Sequence, residues 1–140
     1  MTNPDKTKNR ILAIDPGTRK AGLAVLESDG TVLTRLIIRD ISAFDSIVRE
    51  SIERFHPGVI AIGNGTGHEE ARMKIESIVH DTSIIKIIDE KGSTEEARRN
   101  YFAQFSLLKR IIVTVGYILG AVKIEVDDEV AVIIGKRSLR

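Results

Sequence analysis

The sequence contains no cysteine, which excludes disulfides, cysteine-ligated zinc and thiol redox chemistry. It also lacks a long hydrophobic run. The longest uncharged apolar stretch, residues 111–122, is too short to cross a bilayer as a helix. Residues 1–10 are polar and show no secretory signal pattern. These absences lead to the expectation of a cytoplasmic protein. Internal repeats, low-complexity stretches and domain linkers are absent as well. What remains is 140 residues, of which 42% are hydrophobic, enough for one globular domain with a sizeable core.

No sign of charge dominates, since the formal net charge is +1. The distribution is less even than the total. Residues 1–20 carry five Lys/Arg against two Asp, residues 91–110 carry five against two Glu, and residues 136–140 carry three against none. Each segment has a local excess of +3. Such clusters fit phosphate contacts, or else solvated faces and a frayed tail.

Hydrophobic periodicity predicts the elements. Residues 1–10 read as a flexible basic lead, with the folded domain over 11–140. Ile11–Ile14 reads as a buried strand and Ala21–Leu26 as a second. Asp29-Gly30 marks a hairpin into a third strand, Thr31–Ile38. Phe44, Ile47, Val48 and Ile52 then fall at helical spacing, and Pro57-Gly58 ends that helix. Val59–Ile62 is a fourth strand. Thr66 and Glu69 have the spacing of a capping box for a helix to about His80. Ile84–Ile88 is a fifth strand. Ser93 and Glu96 predict a second capping box, opening a helix to about Phe105. Residues 127–136 read as the last helix. Between them, residues 106–126 are open to strand, helix or an ordered loop; the run Ile111–Val115 favours a strand by propensity, and Gly116 and Gly120 argue against one continuous helix. An exposed apolar patch there would suggest a homodimer contact through 111–122.

The order βββαβαβα predicts an α/β fold. Its mixed five-stranded sheet has a three-stranded antiparallel meander, then parallel βα units, with helices on both faces. Strands one, four and five should be parallel. Ligands of such sheets collect beyond the C-terminal ends of those strands. Asp15, Asn64 and Glu90 sit at three such ends.

An acid closing a core strand is costly to bury unless it meets positive charge. Asp15 ends the first strand, before Pro16-Gly17. Glu90 and Asp127 stand at comparable junctions. Carboxylates gathered at one sheet end suit Mg²⁺ or Mn²⁺, and two such ions would serve phosphodiester hydrolysis. Each acid also has a plainer reading: Asp15 as a turn residue, Glu90 as a solvated loop acid, Asp127 or Asp128 as a helix N-cap. The loop Gly63–Gly67 fits either a phosphate-approach loop or a tight strand-to-helix turn. His68 could assist proton transfer, or lie on the surface. Arg19, Lys20, Asn64, Lys91, Arg98 and Arg99 are the expected nucleic-acid contacts. Tyr101, Phe102 and Phe105 are expected to form a core stripe.

Taken together, these residues resemble the YqgF/RuvX family, linked to Holliday-junction resolution and to maturation of pre-16S ribosomal RNA ends. Ile14-Asp15-Pro16-Gly17-Thr18-Arg19-Lys20-Ala21-Gly22-Leu23-Ala24-Val25 is similar to its opening strand-turn-strand motif. Asp89-Glu90-Lys91-Gly92-Ser93-Thr94 resembles its Asp-Glu-Arg-x-Ser-Thr signature. Val126-Asp127-Asp128-Glu129 with the apolar run to Ile134 resembles its final helix. Ile60–Thr66 is also similar to the YqgF-like domain of Tex transcription factors. The resemblance covers about residues 10–137. It implies an RNase H-like fold and a nuclease acting on structured RNA or branched DNA, with Asp15, Glu90 and Asp127 as metal-binding catalytic acids. The Tex likeness implies an alternative, a non-catalytic nucleic-acid-binding module. Two departures stand at the rim of the site. Gly63-Asn64-Gly65 replaces the usual Gly-Leu-Pro, and Lys91-Gly92 replaces Arg-Leu. An ATPase of the sugar-kinase/actin type also opens with an Asp-Gly turn between strands, but this chain is too short for its two-domain clamp.

Overall fold

A computed structural model describes residues 9–120 and 123–140. The expected basic lead lies outside the described residues except for Asn9 and Arg10. Arg10 is anchored. Its guanidinium donates to Glu27 Oε1 and to Phe55 O, and its own carbonyl accepts the N–H groups of Gly58 and Val59.

The strands are β1 (Ile11–Asp15), β2 (Ala21–Leu26), β3 (Val32–Ile38), β4 (Val59–Gly63) and β5 (Ile85–Ile88). The helices are α1 (Phe44–Phe55), α2 (His68–Ile78), α3 (Ser93–Ala103), α4 (Leu107–Ile118) and α5 (Asp127–Ser138). The sheet order is β3-β2-β1-β4-β5. β1 and β3 run antiparallel to β2, while β1, β4 and β5 are parallel, as the sequence pattern predicts.

Alternation along β1 sorts its side chains between two cores. Leu12 and Ile14 join Leu23, Val25, Ile60 and Ile62 under α1 and α2. Ile11 and Ala13 face the other way, into a core closed by Val130–Ile134 of α5 and Ala97 of α3. Asp15 has the same parity as Ile11 and Ala13, so it emerges on the α5 side. Small residues Ala13, Ala24 and Ala61 line the sheet beneath α5. They let its buried aliphatic side chains settle on the backbone, each contributing about 1.5 to 3 kcal/mol on burial. Helix polarity agrees, with Asp127, Asp128 and Glu129 in the first turn of α5 and Lys136 and Arg137 in its last.

Three local expectations are corrected. The segment expected to favour a strand is α4, a helix through Ile111–Val115 and Gly116. A strand needs a neighbour's ladder, and this segment joins none of the five. A helix satisfies its own backbone, and Ser106 caps it by accepting the Lys109 N–H. Its apolar side chains are largely exposed, Leu107 and Ile118 at 74%. The expected dimer contact falls on this helix, with residues 121–122 outside the described ones. Neither capping box forms. The N-cap of α2 is Gly67 at φ 85°, and that of α3 is Gly92 at φ 75°. At those angles glycine is unstrained, and Thr66 and Ser93 are displaced from the cap by one residue on either side. The aromatic stripe is partial. Tyr101 packs on the α5 core and meets Phe102 and Phe105 edge-on, at centroid distances of 5.7 and 4.8 Å.

Candidate active site

The centre of the site is set by a glycine. In the β1–β2 register Asp15 lies opposite Gly22. A Cβ on Gly22 would stand 1.8 Å from the Asp127 carbonyl oxygen. The bare backbone of Gly22 therefore lets the first turn of α5 descend onto the strand beside Asp15. Asp127 arrives there as the first residue of its helix. Its Oδ2 is 2.9 Å from Lys20 Nζ, on the turn after β1. Asp128 faces elsewhere, toward Arg35 Nε on β3 at 3.6 Å. Neither acid is the N-cap, a position taken by Val126.

Glu90 is delivered by the turn after β5. Its carboxylate fills the space left by two more glycines. A Cβ on Gly63 would meet Glu90 Oε2 at 2.3 Å, and one on Gly65 would meet Oε1 at 1.9 Å. The glycine loop after β4 is thus a cradle for a carboxylate. Asn64 holds the same residue from behind. Its Oδ1 accepts the Glu90 N–H at 3.1 Å, and its own N–H donates to Ile88 O at 3.0 Å. His68 sits beside the loop, Nδ1 2.9 Å from Gly65 O and Nε2 3.1 Å from Glu69 Oε1.

Electrostatics ties the acids together. Asp15 is pushed up from 3.8 to about 8, first by burial, then by the negative charges of Glu90 and Asp127, against a smaller opposing effect of Lys20. Burial also raises Glu90, opposed by the Gly65 N–H, His68 and Arg137. Among the described residues, no three His, Cys, Asp or Glu side chains form a closed cluster suited to a metal. Asp127 is drawn to Lys20 and Glu90 lies in its cradle. The donor set nonetheless fits a hard cation. It is all carboxylate oxygen, its central member is poorly compensated, and the buried Glu90 Oε2 has no hydrogen-bond partner.

Of the expected nucleic-acid contacts, Arg19, Lys91, Arg98 and Arg99 are exposed. Lys20 is committed to Asp127, and Asn64 to the Glu90 backbone. Sequence reading missed Gly22, the Gly63/Gly65 cradle and Arg137. The last of these, grouped with a frayed tail, reaches the Glu90 turn with its guanidinium.

The model of the Tex protein YqgF-like domain matches residues 9–116. The chain belongs to that family. The match contains Asp15 and Glu90 and stops before Asp127. Two solved structures share the fold over 90% of both chains. They are Thermus thermophilus RuvC, with TM-score 0.55 and 15% identity, and Thermus thermophilus RuvC in complex with a Holliday junction substrate, with TM-score 0.56 and 14% identity. No curated protein matches the sequence. The RNase H-like fold expected from the motifs is the fold observed. Among the described residues, no helix is long and apolar enough to cross a membrane.

Proposed function

We propose that this YqgF-like domain is a metal-dependent nuclease that hydrolyses phosphodiester bonds in structured nucleic acid, either pre-16S rRNA ends or branched DNA. The observation that carries this reading is geometric: Gly22, opposite Asp15 at the end of β1, lets the first turn of α5 with Asp127 descend beside it, and the space at Gly63 and Gly65 seats the Glu90 carboxylate. Asp15, Glu90 and Asp127 would hold Mg²⁺ or Mn²⁺. Bound there, such ions supply an activated water and neutralise charge on the phosphate. The chain does the rest. Gly22 and the glycine cradle fix where the carboxylates stand, and Lys20 balances Asp127. The exposed Arg19, Lys91, Arg98 and Arg99 offer phosphate contacts at the rim. RuvC in the related fold is seen with a Holliday junction substrate, which supports a branched or structured ligand here.

Cleavage should require Mg²⁺ or Mn²⁺ and disappear in EDTA. Nuclease assays on a junction and on a structured RNA, with and without chelator, check this. Full-rate cleavage in EDTA would remove the metal mechanism. The second reading, a non-catalytic binding module, is favoured by the family match to Tex. It expects binding but no cleavage under any metal.

Both readings share an electrostatic prediction. Affinity for nucleic acid should fall steeply with salt as bound phosphates release their counterions. Replacing Arg98 and Arg99 by alanine should lower the slope of log K against log[salt] by about one for each phosphate no longer neutralised. A flat salt titration of the unmodified protein would leave the basic clusters as solvated faces.

A further inference from the structure

We propose that Arg137 is a positioning residue that clamps the Glu90 turn to the helix carrying Asp127. The proposal rests on the nuclease reading of the site and names a part of it that the acids alone do not reveal.

Glu90 needs such a hold. β5 is a short edge strand, half exposed, and residues 89, 91 and 92 around the Glu90 turn have little cover. The cradle holds the Glu90 carboxylate through the Gly65 N–H alone and leaves its buried Oε2 without a hydrogen-bond partner. Arg137 lies in the last turn of α5, at the opposite end from Asp127. Its Nη1 donates to Asp89 O at 2.9 Å and to Lys91 O at 3.0 Å, the two carbonyls that flank Glu90. Its Nη2 donates to Glu96 Oε2 at 3.2 Å, near the start of α3. One planar guanidinium thus ties together both sides of the Glu90 peptide and the helix that follows. Asn64 completes the grip from the end of β4 through the Glu90 N–H.

The consequence is a mechanical link. α5 is held against the sheet by its buried run Val130–Gly135. It presents Asp127 at one end and fixes the Glu90 turn at the other. Two of the three acids are therefore positioned by the same rigid element, although 37 positions separate them in the chain.

The test is calorimetric titration of the full chain with Mn²⁺ alone, alongside its variants. Partners that orient metal ligands typically cost 10- to 100-fold in affinity when removed. Arg137→Met should therefore bind Mn²⁺ roughly 10- to 100-fold more weakly. Arg137→Lys keeps the charge but replaces the planar fork by a single nitrogen, which cannot occupy both the Nη1 position at the two carbonyls and the Nη2 position at Glu96, so it should bind nearly as weakly. Lys136→Met removes the same charge one residue away, from an exposed position, and should bind like the unmodified protein. Glu90→Gln is the reference. If Glu90→Gln weakens binding while both Arg137 variants bind normally, the clamp is refuted and the nuclease site stands. If Glu90→Gln binds normally, Glu90 is no ligand and the proposal falls with the reading beneath it. A purely structural Arg137 would lower the melting temperature and leave the affinity of the folded protein unchanged. Should Arg137→Met fail to fold, Arg137→Lys decides the matter, together with amide exchange at Ser93, whose N–H donates to Glu90 O at 2.9 Å. Faster exchange there supports the clamp, and unchanged exchange with unchanged affinity overturns it.

Discussion

Asp15→Asn should abolish metal-dependent cleavage and raise the melting temperature of the metal-free protein, by more at pH 8 than at pH 5. The folded carboxyl titrates at about 8 against an ordinary value of 3.8. Between those values the folded protein keeps a proton that the unfolded chain has released. Stability of the unmodified protein therefore falls as pH rises through this window, by about 1.4 kcal/mol per pH unit. Below it the carboxyl is neutral in both states and nothing is lost. Above it both states are ionised and the loss has reached its full extent. Asparagine has no such proton to release. At pH 5 the unmodified protein has entered the window by about one unit. By pH 8 it has crossed nearly all of it. Thermal melts in chelator at both pH values check the sign. An asparagine variant that melts lower at pH 8 would mark Asp15 as a turn residue held by Pro16-Gly17.

Asp127→Asn should lose cleavage by orders of magnitude, and its neighbour Asp128→Asn should retain most of it. One step along a helix turns a side chain by roughly 100°. Asp127 raises the Asp15 carboxyl and pairs with Lys20, so it belongs to the strand-end group. Asp128 pairs with Arg35 on β3, at a half-exposed position. Its loss should cost no more than about 1 kcal/mol of stability. Parallel cleavage assays at saturating Mg²⁺ compare the two. Equal losses would place both carboxylates at the reacting centre, and the reverse order would exclude Asp127 as a ligand.

Much of this architecture is written in local pattern. Short apolar runs bounded by turn residues mark β1, β2 and β4, and Asp29-Gly30 marks the hairpin into β3, whereas the division of Ile11 and Ala13 from Leu12 and Ile14 between two cores emerges only from the packing. The acids at strand ends are legible for the same reason, since a carboxylate ending an apolar run is conspicuous. α4 is not legible, because β-branched residues such as Ile111, Ile112 and Val113 score as strand whenever tertiary pairing is ignored. The two helix starts slip because a glycine at positive φ can take the cap from a nearby Ser or Thr. The supports of the site are harder still. Gly63 and Gly65 look like a phosphate loop in one dimension, and only the approach of Glu90 from a different strand reveals what fills them. Arg137 looks like one charge in a basic tail until the turn it holds comes within 3 Å.

Gly22 makes the gap between Asp15 and Asp127 a dimension of the main chain. Two peptide segments approach there with no side chain between them, so the separation of the β2 and α5 backbones is set by main-chain contact, and only side-chain torsions of Asp15 and Asp127 remain to adjust their carboxylates. Exposed residues such as Arg19 and Lys91 can vary without disturbing that backbone contact, because none of them takes part in it. Under the nuclease reading, the placement of the acids and the choice of substrate are therefore separable, the first resting on backbone contact and the second on exposed side chains.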